Sequence, residues 1–89
     1  ADPAAGQLLV SLTIDSEPVV RSNSIWALGR LYEQLVAPRQ LELVEALVSA
    51  LLNDGEASVR DEARTALEQQ EDPTVLERLQ ALIDEGFLS

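Results

Sequence analysis

The chain has 89 residues, a net charge of −10 and six basic residues, all arginine; it contains no histidine, cysteine or methionine. That length allows one domain, which buries only roughly 60–65% of the surface its unfolded form exposes. The acidic balance excludes the basic stripe of a nucleic-acid binder and attraction to an anionic membrane, the absence of cysteine excludes a disulfide framework, and no apolar run approaches the ~18 residues of a membrane span.

Leucine, alanine and valine supply most of the apolar content, while glycine and proline are sparse, so helices are favoured over many short strands. Without an initiating methionine, the sequence is expected to be a processed product or an excised piece. Its opening ADPAAG, residues 1–6, is read as an expression remnant or a disordered start and set aside. A first helix is expected over about 4–14. Ser16 is the expected cap of a second helix, with Pro18 in its first turn, where a missing N–H is harmless. Its inward face is drawn through Val20, Ser24, Ala27, Leu28, Leu31 and Leu35. Pro38 opens a third helix to about 53, with Leu41, Val44, Leu47, Val48 and Leu51 inward, and NDGE makes the turn after it. A fourth helix is expected over about 56–70 through Val59, Ala63, Ala66 and Leu67. Asp72 and Pro73 open a fifth, with Val75, Leu76, Leu79, Leu82 and Ile83 inward and Gly86 ending it. The small residues at 24, 27, 63 and 66 let neighbouring helices approach closely.

The second and fourth helices are copies of each other. A shift of 39 positions lays Leu12 on Leu51, Asp15 on Asp54, Glu17 on Glu56, Val20 on Val59, Arg21 on Arg60, Ala27 on Ala66 and Leu28 on Leu67. A shift of 31 lays LLNDG (51–55) on LIDEG (82–86), a partial third copy. Self-similarity at such a period is the signature of stacked repeats.

DSEPVVRSNSIWALGRL and DGEASVRDEARTAL resemble HEAT-like repeats, and are most similar to the short variety named after phycobilisome lyases. The resemblance runs from about residue 7 to 86 and implies an all-α fold, a right-handed α-α superhelix of about two and a half helical hairpins with five helices. It also implies a structural ladder in which a turn aspartate and an arginine near the head of the second helix bridge neighbouring units. The positions are Asp15 with Arg21 and Asp54 with Arg60. The first copy departs from the pattern at Ser24, where alanine is usual, and the second has Glu68 where the first has Gly29.

Catalysis is not expected. The common bases, nucleophiles and Schiff-base formers are absent, and the adjacent acids Asp61–Glu62, Glu71–Asp72 and Asp84–Glu85 point about 100° apart on a helix, a poor geometry for an acid/base dyad. The stretch from Asp54 lacks the glycine and the final acid of a calcium loop, and no glycine-rich phosphate loop exists, so neither metal nor cofactor is expected.

Trp26 remains, aligned with Thr65 in the second copy. It shares a helix face with Asn23 and Arg30. In HEAT-like repeats the second helices line the concave surface, which makes Asn23, Trp26 and Arg30 candidate partner-binding residues, tryptophan and arginine being enriched at hot spots. The competing reading packs Trp26 against a neighbouring helix or a preceding repeat. At the other end, Phe87 and Leu88 either fold back as a cap or leave an edge for self-association through the C-terminal half-repeat. The function expected is therefore a non-catalytic protein–protein interaction scaffold, cytoplasmic in location. The alternative, carried by the resemblance alone, is a fragment or subunit of a phycobilin lyase-like protein acting on phycobiliproteins.

Overall fold

The computed structural model describes residues 3–88, and among them the fold is all-α, with five helices and no strand. They are α1 (Pro3–Leu12), α2 (Pro18–Leu31), α3 (Ala37–Asn53), α4 (Ala57–Glu68) and α5 (Pro73–Asp84), with a 3-10 turn (Tyr32–Gln34) following α2. Ala1 and Asp2, part of the stretch set aside above, lie outside the described residues; Pro3–Gly6 form the start of α1. Helices α1 and α3 make one layer, and α2 and α4 make the other. α2 packs along both α1 and α4, and α4 along both α3 and α5. None of the helices is long and apolar enough to cross a membrane.

The helix ends follow local chemistry, with one correction. Ser16 does not cap α2: Glu17 occupies the cap position and its side chain makes no capping bond. The Asp15 carboxylate instead accepts the Glu17 N–H at 2.9 Å, and Asp54 accepts the Glu56 N–H at 3.0 Å in the second copy. An aspartate two residues before the cap position thus organises each hairpin turn, because its short side chain reaches an otherwise orphaned amide. Asp72 caps α5 directly, accepting the Thr74 N–H at 2.9 Å, with Pro73 in the first turn. Gly86 adopts a positive φ of 86°, and the Phe87 and Gly86 N–H groups reach back to the carbonyls of Leu82 and Ile83 at 2.9 and 3.1 Å. That is the bonding pattern of a Schellman cap.

The core is built on Ile25, Leu28, Leu43, Leu47, Val59, Leu67 and Val75, all with under 2% of their surface exposed. Two of these displace expected residues. On α2 the buried line is Ser24, Ile25, Leu28 and, just past the helix, Tyr32; Val20, Ala27 and Leu31 are only half-buried. The helix also stops at Leu31 rather than running to Leu35, and the 3-10 turn that follows tucks Tyr32 inward. On α3, Leu43 is buried and Leu41 is 63% exposed. Leu41 falls beyond the edge of the arc centred on Leu47 and Leu51, at a groove that α5 does not close. The inner face of α5 is Val75, Leu79 and Leu82, while Leu76 and Ile83 stay partly open. Leu88 packs back on the core and Phe87 does not.

Candidate functional site

Asn23, Trp26 and Arg30 recur at three- and four-residue spacing on α2, so they project from one face, and all three are exposed. Trp26 shows 55% of its surface to solvent. The Arg30 guanidinium carbon stands 5.1 Å from the centre of the indole ring, a cation–π contact worth about 0.5–1 kcal/mol at an exposed site. That contact stiffens two long side chains while leaving much of the ring open. Val19, one turn before Asn23, extends the face and is also exposed. The residues aligned with Val19 and Trp26 on α4 are Ser58 and Thr65, both exposed as well. The copies therefore differ in chemistry at positions that solvent reaches in both, and internal packing does not explain the tryptophan.

Two sets of bonds fix α2 against α4 and so hold this face in shape. At the heads of the helices, Arg21 forks onto the Asp54 carboxylate, Nε to Oδ2 at 2.8 Å and Nη2 to Oδ1 at 3.1 Å. Its Nη1 donates to the main-chain carbonyls of Asp15 and Ser16 at 2.8 and 3.2 Å. The paired hydrogen bond holds the Asp54 carboxyl below its ordinary range and the Arg21 guanidinium above its own. Arg60 donates to the Asp54 main-chain carbonyl at 2.6 Å. The carboxylate pairing thus runs between copies, from Arg21 to Asp54. Within a copy, Asp15 with Arg21 and Asp54 with Arg60 meet through backbone carbonyls, not through the carboxylates that the aligned motif suggests.

At the tails of the helices the fasteners are residues that sequence reasoning missed. Gln70, two residues past the end of α4, is buried, and its amide nitrogen donates to Gly29 O at 2.8 Å on α2 and to Ala66 O at 2.9 Å on α4. Tyr32, 4% exposed, donates its hydroxyl to the Asp72 carboxylate at 2.5 Å. Burial first, and then that bond, push the tyrosine up to about 12, and the same bond lowers Asp72. Gly29 permits the approach: a Cβ placed there would stand 3.0 Å from the Ala66 Cβ. The one signal in the sequence was the exchange of Gly29 for Glu68 between copies, a small residue where two helices cross and a charged one where they do not.

Two surface grooves lie apart from the Trp26 face. One, of about 510 Å³, lies between the α1–α2 turn and the end of α3 and is lined by Ile14, Asp15, Arg21, Asn53 and Asp54. The other, of about 460 Å³, is lined by Tyr32, Leu41, Asp72, Thr74 and Arg78. Among the described residues, no group of three or more metal-ligating side chains is placed to hold an ion.

The family model of the HEAT repeat matches residues 6–35, which span most of α1, the whole of α2 and the 3-10 turn. The first hairpin is thus similar to a HEAT repeat, and the second hairpin repeats its turn and its helix at the 39-residue shift. No curated protein and no solved structure matches the chain.

Proposed function

We propose that the α2 face of Asn23, Trp26 and Arg30 is a protein-docking surface and that the chain is a non-catalytic interaction scaffold. The carrying observation is the exposure of Trp26 at a position where the aligned residue, also exposed, is Thr65. An indole left in water forgoes a large burial gain, and in a hot spot that gain is taken at the partner. The HEAT-repeat match supports the class of function, since such repeats generally mediate protein–protein contacts. Asp15, Arg21, Asp54 and Arg60 act in this reading as frame and touch no partner. A cytoplasmic setting and a right-handed superhelical sense belong to the same reading.

Trp26 fluorescence, the only tryptophan signal in the chain, should be red-shifted and readily quenched. Trp26→Ala should leave stability within about 0.5 kcal/mol, as for an ordinary surface site. Once a partner is captured from the source organism, the same change should weaken its binding by about 2 kcal/mol or more, roughly thirtyfold. A blue-shifted, unquenchable indole whose truncation costs about 3–5 kcal/mol of stability would make it a core residue and end the proposal. The lyase alternative makes a separate demand, saturable binding of a free bilin, which a titration reads directly.

A further inference from the structure

The two copies make an internal comparison of what each edge of the stack requires. Five aligned pairs, Leu9/Val48, Leu12/Leu51, Val20/Val59, Ala27/Ala66 and Leu31/Gln70, show one pattern: the second-copy residue is buried and the first-copy residue only half-buried. The central pairs Ser24/Ala63 and Leu28/Leu67 are buried in both. The deficit therefore belongs to one edge. Along α4 that edge is covered by α2, seen directly in the close approach of Gly29 to Ala66 and in the Gln70 bond to the Gly29 carbonyl.

The same comparison holds for charge. Asp54 accepts the Glu56 N–H and the Arg21 fork together. Asp15 forms the same turn on the Glu17 N–H, and among the described residues no arginine side chain reaches its carboxylate. The opposite edge is finished differently. Ser22, Ile25 and Gly29 share, by helical spacing, the α2 face that meets α4 at Gly29; they align with Asp61, Arg64 and Glu68, and Arg64 pairs with Glu68 at 3.5 Å. That face of α4 is charged and solvated, whereas the opposite edge of α2 is apolar.

We propose that Val20, Ala27, Leu31 and the Asp15 carboxylate form a docking edge for one further helical hairpin. Its second helix would bring an arginine to Asp15 and lay small or apolar side chains, one, four and eight residues after that arginine, along α2. That is the chemistry of Arg21, Ser22, Ile25 and Gly29, which already serves the next position in the stack. A second copy of this chain does not supply it: its own Ser22–Ile25–Gly29 face is covered by α4, and the equivalent face of α4 is charged. The edge is distinct from the Trp26 face, which projects roughly 100° further round the helix, and neither proposal depends on the other.

The test places a duplicate of residues 1–39 ahead of the whole chain. The added Arg21 then precedes the original Asp15 by 33 residues, the separation of Arg21 from Asp54. The extended chain should melt in one transition, several degrees above the original, and the amides of the original α2 should exchange at least tenfold more slowly. Asp15→Asn keeps the acceptor for the Glu17 N–H and removes the charge. It should shift the original chain by no more than about 2–4 °C, the scale of an ordinary surface change. In the extended chain it should cost at least twice that shift. Equal shifts in the two chains, separate melting of the added unit, or failure of the extended chain to fold cooperatively would each overturn the proposal. Leu31→Glu should leave the oligomeric state of the original chain unchanged. A dimer that this change dissolves would give the edge to a second copy and overturn it as well.

Discussion

Arg21 makes four bonds to three residues, two to a carboxylate on the neighbouring unit and two to carbonyls of its own turn. Arg78 makes one exposed ion pair with Glu45, a class worth about 0–1 kcal/mol. Arg21→Ala should therefore lower the melting temperature clearly more than Arg78→Ala. Arg21→Lys should not rescue it, because an ammonium cannot reproduce the fork. The pair also has a pH signature. The Asp54 carboxyl is held below its ordinary value, so its contribution is present above the unfolded carboxylate value and is lost as pH falls through the folded one. Asp54→Asn should flatten the acid limb of a stability–pH curve. Tyr32 works in the opposite sense. Raised from 10 to about 12, it stabilises the fold below the unfolded value, and that contribution is lost as pH climbs through this window. As the only tyrosine, it should give a single absorbance step for tyrosinate near pH 12. Tyr32→Phe should remove the alkaline slope and cost about 1.5–3 kcal/mol at neutral pH, the range for a hydrogen bond to a charged group.

At the level of the helix, Gly29 sets how closely α2 and α4 approach. In an exposed helix interior, glycine to alanine gains about 1 kcal/mol of propensity. Here the new methyl meets the Ala66 Cβ at 3.0 Å, and that atom moves only with the α4 backbone. Gly29→Ala should forfeit the gain and come out neutral or destabilising, and Ala66→Gly should restore it, read as a positive coupling in a double-mutant melt. The same helix shows what was legible in the sequence. The turns and four of the five helix starts could be read within a residue or so from Pro18, Pro38, NDGE and the Asp72–Pro73 pair, because proline and capping aspartate act locally. The rotation of α2 could not. Val20, Ala27 and Leu31 form an apolar stripe that looks inward, and Ile25 looks like its flank; which stripe is buried depends on a neighbour 41 residues away that presents Gln70 and Ala66. Leu41 misled for a related reason: it sits at the margin of the apolar arc of α3, and the groove beside it is left open. That Trp26, Asn23 and Arg30 share a face was legible because spacing alone places them together; that the face is open to solvent was not, because a packed Trp26 fits the same spacing, and Tyr32 and Gln70 acquire their partners only through packing.

For the molecule as a whole, a net charge of −10 on a chain this small opposes compaction. Raising ionic strength from about 0.01 to 0.15 M shortens the screening length from roughly 30 to 8 Å and should raise the melting temperature. A fall would mean that the Arg21–Asp54 pair outweighs the general repulsion. Those two residues form only half of the fastening between α2 and α4; Gln70 and Tyr32 hold the far end. A helix pair joined at one point can scissor about it, and the angle between successive hairpins then drifts with every thermal kick. Joined at both ends it behaves as a braced frame, stiff in shear, with bending displaced to the units beyond. A ligand lying across both helices would meet a surface whose curvature is already set, and would lose little of its binding energy to straightening or closing it.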